Sequence, residues 1–327
     1  MALKRAGPAL RALGCLVLFW MMSAVHAQSW PSKPIRLIVP HAPGGVTDVV
    51  ARMVSQPLGE ALGQSIVVEN RPGASGLLGT EVVAKAAPDG YTLLMYVDAN
   101  TIFSFTVKQL NHDPLGSFDP VTIMGRGSHV LVAHPSLGVT NLQELVAYVK
   151  ARPRELSYAS PGAGSPQHLG MEIIRNAYGM DLVHIPYKGG GQAIIDVVSG
   201  QVKLGMLGMA PALPHIKSGK LNAIAVTGRS RSVALPQTPT VAESGLSGFE
   251  TGQWHGMVVP AGTPPSITDR LHAEMVKVMQ RPDIKEKLQG IGMDNSTSAS
   301  PAAFRASLKD EVAKWSTVVK QAGIQPE

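Results

Sequence analysis

Apolar residues along this chain occur at strand-like and helix-like spacings that follow one another in turn. The run Ile35–Val39 is apolar and rich in β-branched residues, which predicts a buried strand that ends at Pro40. Beyond a short loop, apolar residues recur at helical spacing on one face from Val49 to Leu58. A strand, a glycine loop and a helix N-terminus therefore form the first unit of the fold.

The loop in this unit contains two adjacent glycines, Gly44 and Gly45, after His41. Glycine adopts positive φ readily and lets the backbone approach another molecule closely. Thr47 or Asp48 can cap the helix that follows, because a short side-chain oxygen accepts from its free amides. The positive end of the helix dipole at such a junction suits an anion, but an ordinary tight turn fits this stretch equally well.

The same alternation continues towards the C-terminus. Further strands are predicted at 65–69, 91–95, 130–133, 156–159, 182–185, 202–207, 223–227 and 254–259. Helices are predicted at 77–86, 141–152, 167–178, 192–199, 264–288 with a break at Pro282, and 301–321. The stretch 100–120 shows no clear period. This alternation predicts an α/β fold with parallel or mixed sheets covered by helices.

Two α/β domains joined by two crossings account for this order, since the last segments resume the first series. Domain I is predicted to comprise 28–120 and 236–327, and domain II 121–235, with crossings near 119–122 and 227–236. A cleft between two such domains brings glycine loops from both into one space. The sequence thus predicts a hinged pair of domains with the ligand in the cleft.

The first 27 residues have the features of a cleaved signal peptide. Lys4, Arg5 and Arg11 precede an apolar core at 13–22, and 25–27 fits a small-x-small cleavage site, so the mature chain is predicted to start near Gln28. An uncleaved anchor is the alternative. Since Cys15 is the only cysteine and lies in this segment, the mature exported protein is expected to lack disulfides and cysteine–metal sites.

The charge of the mature chain argues against a nucleic-acid partner. The whole chain has 29 Lys and Arg against 23 Asp and Glu. Without the three basic residues of the signal peptide the basic count is 26, which leaves a net charge of about +3. No run of basic residues follows a pattern that would track a phosphate backbone.

A second glycine loop, at 162–168, follows a predicted strand and opens a helix. Ser165 lies where its hydroxyl can bind an anion or cap that helix, and His168 follows on the first turn. A nucleophile and base formed by this pair is the catalytic alternative, but the G-x-S-x-G and S-x-x-K motifs are absent. We favour anion binding by backbone amides and the hydroxyl, and expect no enzyme.

No cofactor or metal site is predicted. The phosphate-binding motif G-x-x-x-x-G-K-[ST] is absent, and no G-x-G-x-x-G occurs between a strand and a helix. His129 and His134 lie five residues apart across a predicted strand, and pairs such as His112 and Asp113 are isolated.

Several motifs occur together in a fixed order over essentially the whole mature chain: PHAPGGVTD, ENRPGASGLLGTE, PDGYTLL, LSYASPGAGSPQHL, HIPYKGGGQA and VVPAGTPP. Together they resemble the Bug (Bordetella uptake gene) family of periplasmic substrate-binding proteins, which serve tripartite tricarboxylate transporters. The resemblance implies a type II periplasmic-binding-protein fold that closes on a small carboxylate. It implies two partners, the carboxylate and the membrane transporter subunits, and we expect a monomer.

The resemblance also implies a site in which loops of both domains hold the carboxylate by backbone amides, hydroxyls and bridging waters. The matching positions in the first domain are His41, Ala42, Gly44, Gly45, Thr47 and Asp48. Those in the second are Ser160, Gly162, Gly164, Ser165 and His168.

Two departures from the family pattern bear on the ligand. His41 stands where the family commonly has phenylalanine, which replaces an apolar cap by one that can donate a hydrogen bond or titrate near neutral pH. Gly208 and Met209 stand where the family often has a small polar or acidic residue that could hold an ammonium. We therefore expect a di- or tricarboxylate or an aromatic carboxylate rather than an amino acid.

The sequence as a whole predicts a periplasmic solute receptor that closes on an organic carboxylate and delivers it to a tripartite tricarboxylate-type transporter. A Ser/His hydrolase and a protein-binding sensor ectodomain are the alternatives.

Overall fold

The first unit folds as its pattern predicts. The computed structural model describes residues 30–321, so the predicted signal peptide at 1–27 and its cleavage site lie outside the described residues. Strand β1 (Ile35–Val39) is buried except at Arg36, and helix α1 (Val46–Leu62) places its apolar face in the same core. Gly63, in the left-handed conformation, ends the helix.

The remaining elements follow the predicted alternation. The strands are β2 (Ile66–Asn70), β3 (Thr92–Val97), β4 (Phe118–Gly127), β5 (His129–Ala133), β6 (Ser157–Ser160), β7 (Val183–Pro186), β8 (Leu204–Gly208), β9 (Asn222–Val226), β10 (Gln253–Pro260) and β11 (Met293–Asn295). The helices are α2 (Leu77–Ala84), α3 (Asp98–Thr106), α4 (Leu142–Lys150), α5 (Pro166–Tyr178), α6 (Gly190–Val198), α7 (Met209–Lys217), α8 (Pro265–Gln280), α9 (Pro282–Gly290) and α10 (Pro301–Gln321). The predicted strands are confirmed to within about two residues, and the predicted break at Pro282 separates α8 from α9.

The strands form two mixed sheets. In the first, the order is β11-β4-β10-β3-β1-β2; β1 runs parallel to β2 and β3, and β10 runs antiparallel to β3 and β4. In the second, the order is β7-β6-β8-β5-β9; β6 runs parallel to β7 and β8, and β5 runs antiparallel to β8 and β9. The carboxyl ends of the parallel strands carry the loops that form the candidate site.

The chain passes between the sheets twice. It leaves the first sheet at Gly127 and enters the second at His129, and it returns between Val226 and Gln253. The predicted domain limit at 120/121 falls inside β4, whereas the limit at 235/236 falls in the return segment. The domain limits themselves stay a prediction.

Four elements were not predicted from the sequence, namely β4, α3, α7 and β11, and β4 and α7 show why. Val121 was expected to begin the second series, but β4, which contains it, belongs to the first sheet, where it pairs with β10 through two register shifts. Helix α7 was not predicted, because Pro211 and Pro214 are residues that usually disfavour a helix interior. The helix nevertheless forms, with its first five residues buried. In both cases tertiary packing overrides a weak local signal.

No helix in the described range 30–321 combines the length and the apolar character needed to cross a bilayer.

Candidate ligand-binding site

The loop after β1 is held in place by Asp48, from the first turn of α1. Its Oδ2 accepts a hydrogen bond from the Gly44 amide at 3.0 Å, and Gly44 has a φ of +81°, which favours glycine. The carboxylate also accepts from Arg52 Nε at 3.0 Å and from Asn70 Nδ2 at 2.9 Å. Burial alone would raise the pKa of Asp48, but these hydrogen bonds hold it below its usual value.

Replacing Asp48 with asparagine is expected to cost about 1 kcal/mol of unfolding free energy at neutral pH, since Arg52 is half exposed and the pair is partly screened. Because the native pKa is lowered, this stabilisation is present above the ordinary value of 3.8 and is lost as pH falls through the native value. Urea unfolding of both proteins from neutral pH into acid measures the difference, with the exposed Asp269→Asn as control. A difference that stays constant into strong acid would contradict this role.

The second loop, between β6 and α5, is organised by Ser165 at the helix N-cap. The Ser165 hydroxyl donates to the Gly162 carbonyl at 2.7 Å and accepts from the His168 amide at 3.2 Å. Its proton is therefore directed at a backbone oxygen, and Nδ1 of His168 accepts from the Gly164 amide at 3.1 Å. These contacts describe a helix cap in an ordered loop rather than a nucleophile activated by a base.

Behind this loop lies a stack of rings. The His168 ring stacks on His184 with centroids 3.9 Å apart, and His184 stacks in turn on Tyr158 at 4.9 Å. Ser160 Oγ lies 2.7 Å from His184 Nε2. Burial, with the nearby His168 and Arg175, lowers the pKa of His184 to about 3, so its ring is neutral at pH 7. The predicted residues Ser160 and His168 thus support the loop from behind.

The loops of the two sheets touch each other. The Ala42 amide donates to the Lys188 carbonyl at 3.3 Å, and Ser75 Oγ donates to the Ala163 carbonyl at 2.6 Å. Glycines allow this approach: a Cβ on Gly162 would collide with Ser75, and a Cβ on Gly191 would collide with the Pro43 carbonyl. The loops therefore meet across the cleft, and the cleft is closed.

A cavity of about 40 Å³ lies between these loops. Its lining includes the first turns, or the residue just before them, of five helices, α1, α3, α5, α6 and α7. The residues that line it are His41, Gly45, Val46, Thr47, Ser75, Val97, Asp98, Ala99, Pro161, Ser165, Pro166, Gln167, Gly190, Gly208, Pro211, Gln253 and His255. Five helix N-termini directed at one space create a positive potential there, which favours an anion.

The predicted site residues divide into two groups in this geometry. Four of them line the cavity: His41, Gly45, Thr47 and Ser165. The others lie outside the lining: Ala42, Gly44, Asp48, Ser160, Gly162, Gly164 and His168. Asp48 and Ser160 form hydrogen bonds that order the two loops, and a direct ligand contact by members of this second group stays a prediction.

Five polar residues of the lining were not among the predicted site residues: Ser75, Asp98, Gln167, Gln253 and His255. Asp98 directly follows β3, and ligands of α/β sheets bind at the carboxyl ends of such strands, so that signal was available. Gln253 and His255 lie on β10, whose eight residues are all buried, and such a strand gives no sign of which side chains reach a cavity.

The histidines of the cavity are neutral at pH 7. His41 Nε2 lies 3.2 Å from the Ser75 carbonyl oxygen; since a carbonyl only accepts, Nε2 carries the proton. Burial lowers the pKa of His41 to about 4, so the expected titration near neutral pH does not occur. Burial, with His41 and His129 nearby, lowers the pKa of His255 to about 3. Thr47 Oγ1 lies 3.2 Å from His255 Nε2.

A second cavity, of about 260 Å³, lies where the chain passes between the sheets. Its basic residues include Arg126 and Arg229, which pair with Glu311 at 3.9 Å and with Glu250 at 3.4 Å. These partners offset the positive charge, so this cavity suits an anion less well than the space between the helix N-termini. Within the described residues, no group of three or more His, Cys, Asp or Glu side chains could hold a metal ion.

The family described as "Tripartite tricarboxylate transporter family receptor" (TctC) matches residues 50–324. The chain is 36% identical over 301 residues to Protein BugT of Bordetella pertussis, which covers 91% of this chain and 92% of that protein.

Solved structures match over a similar length. An R. palustris protein with adipate is 33% identical, with a TM-score of 0.88 over 91% of this chain and 100% of that chain. MatC from Rhodopseudomonas palustris with bound malate is 30% identical, with a TM-score of 0.82 over 89% of this chain and 100% of that chain. These matches confirm the predicted α/β, two-domain periplasmic-binding-protein fold.

Proposed function

This chain belongs to the TctC family of tripartite tricarboxylate transporter receptors, and from that premise we propose that it binds a small organic carboxylate in the cavity between its loops and delivers it to a tripartite transporter. As a member of this family it is a periplasmic solute-binding protein. The family and the structural neighbours are binding proteins rather than enzymes, so the hydrolase alternative falls away.

The observation that most directly supports a carboxylate ligand is that five helix N-termini line one cavity. Each N-terminus contributes a partial positive charge, and together these charges suit a carboxylate. Thr47 and Ser165 add hydroxyls from opposite loops. The adipate and malate held by two relatives support a di- or tricarboxylate or another small carboxylate here.

Ligand entry requires the loops to separate. The cavity of about 40 Å³ is bounded by loops that hydrogen-bond to each other, through Ala42 to Lys188 and through Ser75 to Ala163. A dicarboxylate therefore enters by rotation about the two segments that join the sheets, and the loop contacts form around it. The bodies that rotate are proposed to be the two sheets with their helices, which places the first limit between Gly127 and His129 rather than at 120/121 inside β4. We propose that the receptor acts as an exported monomer, with transporter subunits and no nucleic acid as partners.

Thermal unfolding with a carboxylate panel tests this function. A specific ligand at ten times its Kd is expected to add about 1.4 kcal/mol to the unfolding free energy, because it binds only the folded state. The panel comprises succinate, adipate, malate, citrate and benzoate, with matched alcohols as controls. If no carboxylate shifts the transition and the alcohols behave alike, the assignment is wrong.

A further inference from the structure

Asp98 is a buried acid in the cavity, and the contacts proposed for the ligand carboxylate give it no role. Asp98 is 5% exposed and lies at the start of α3, where it lines the cavity. Oδ1 accepts a hydrogen bond from the Ala99 amide at 2.9 Å, but Oδ2 has no partner among the described residues. A buried oxygen of this kind carries a substantial desolvation cost unless a donor reaches it.

Two histidines of the same cavity each have an unpaired ring nitrogen. His41 donates through Nε2 to the Ser75 carbonyl, which leaves Nδ1 as an acceptor, and this atom is buried without a partner in the described chain. His255, 2% exposed, contacts Thr47 through Nε2, and its buried Nδ1 is likewise unpaired there. Both rings line the same cavity as Asp98.

We propose that Asp98, assisted by His41, is a specificity-determining residue that receives an ammonium group, so that the preferred ligand is an amino-carboxylate. An ammonium has three donors and no acceptor, which matches the unpaired oxygen of Asp98 and Nδ1 of His41. The carboxylate of the same ligand is held by the helix N-termini and by Thr47 and Ser165. The inference rests on the proposed function and narrows its ligand class.

This proposal departs from the sequence expectation against an amino acid, which stays a prediction. That expectation depended on Gly208 and Met209, which provide no acid after β8. Asp98 provides one instead from the end of β3. The N-terminus of α3 and the Ala99 amide help to stabilise its charged form, whereas a second ligand carboxylate would face an acid and the Nδ1 acceptor of His41.

Ammonium binding is coupled to proton release. Burial raises the pKa of Asp98 well above its usual value; Glu311 acts in the same sense and Lys314 in the opposite one, while His41 and His255 across the cavity are neutral. An ammonium beside Oδ2 favours the charged carboxylate, so a ligand that carries one lowers the pKa of Asp98 and promotes release of its proton. A dicarboxylate without an ammonium group brings no positive charge that would lower the pKa of Asp98.

Matched ligand pairs test the proposal by isothermal titration calorimetry. The pairs are succinate with L-aspartate and glutarate with L-glutamate, which differ by one ammonium group. We expect the wild type to bind one amino member at least tenfold more tightly than its partner, and Asp98→Asn to reduce that ratio to about one. Asp269→Asn, an exposed acid elsewhere, is the matched control and should keep the ratio.

A second measurement needs no variant. Titrations of the wild type in two buffers of different ionisation enthalpy report the protons released, and we expect release with the amino member that exceeds release with its partner. If the plain dicarboxylates bind equally or more tightly, the inference is wrong but the proposed function stands. A protonated Asp98 that donates to a ligand carboxylate would give that result. An amino preference that survives in Asp98→Asn overturns the role of Asp98. Binding of no carboxylate in any form overturns the proposed function itself.

Discussion

Removal of both hydroxyls, in the variant Thr47→Ala with Ser165→Ala, is expected to weaken carboxylate binding by about 3–6 kcal/mol. Each hydrogen bond to a charged group contributes about 1.5–3 kcal/mol. The lower end applies to Ser165, whose hydroxyl has to turn its proton from the Gly162 carbonyl to the ligand. Because Thr47 and Ser165 belong to different loop–helix junctions, their effects should nearly add. Calorimetric titration of the single and double variants measures the loss. Thr47→Ser and Ser165→Thr, which keep the hydroxyls, are expected to retain most of the affinity.

Ser165 also caps α5, and its loss should cost about 1 kcal/mol of folding free energy. Asn141→Ala controls for this effect, because Asn141 caps α4 through a 2.9 Å hydrogen bond from the Glu144 amide, away from the cavity. The control should lose stability of the same order but no affinity. If the double alanine variant binds the ligand as tightly as the wild type, the hydroxyls are not part of the site.

Replacing Gly191 with alanine is expected to weaken ligand binding by about 2–3 kcal/mol, or about 30- to 150-fold. The added Cβ would collide with the Pro43 carbonyl in the closed cleft, and a backbone oxygen cannot move aside as a flexible side chain can. Overpacking of this kind typically costs about 1–3 kcal/mol, and the upper part of that range applies here. Because Gly191 lies in a regular turn of α6, alanine brings no local strain, and the open form should be unaffected.

Gly290→Ala is the matched control, since a Cβ at that helical position meets no atom within 4 Å. Its affinity should equal that of the wild type, whereas Gly191→Ala should also show a larger radius of gyration with saturating ligand. Unchanged affinity in Gly191→Ala would mean that the ligand-bound cleft is wider than the closed form described above.

The sequence indicated the parts of the site that belong to regular local patterns. The Ile35–Val39 strand, the glycine loop and the α1 pattern identified the first half, and Ser165 before a helix identified the second. Both depend on short-range rules: a β-branched run, a glycine turn and a helix cap. Those rules act over a few residues, so they can be recognised before the fold is known.

The rest of the site depends on tertiary packing. His255 reaches the cavity from a fully buried strand, and only the pairing of β10 between β3 and β4 decides where its ring lies. Asp98 directly follows β3 and begins α3, and most of α3 lies in the stretch 100–120, which has no clear period. Only its place at the end of a strand pointed to the site. The burial that lowers the pKa of His41 comes from loop closure, which no local pattern reports.

The central claim is that a carboxylate binds between the helix N-termini, and a crystal structure of the complex with the best ligand of the panel tests it most directly. We expect a carboxylate oxygen within hydrogen-bonding distance of Ser165 Oγ and Thr47 Oγ1, with the loops closed around it. A ligand found in the cavity beside Arg126 and Arg229, or on the surface, with no contact to either hydroxyl, would contradict the account.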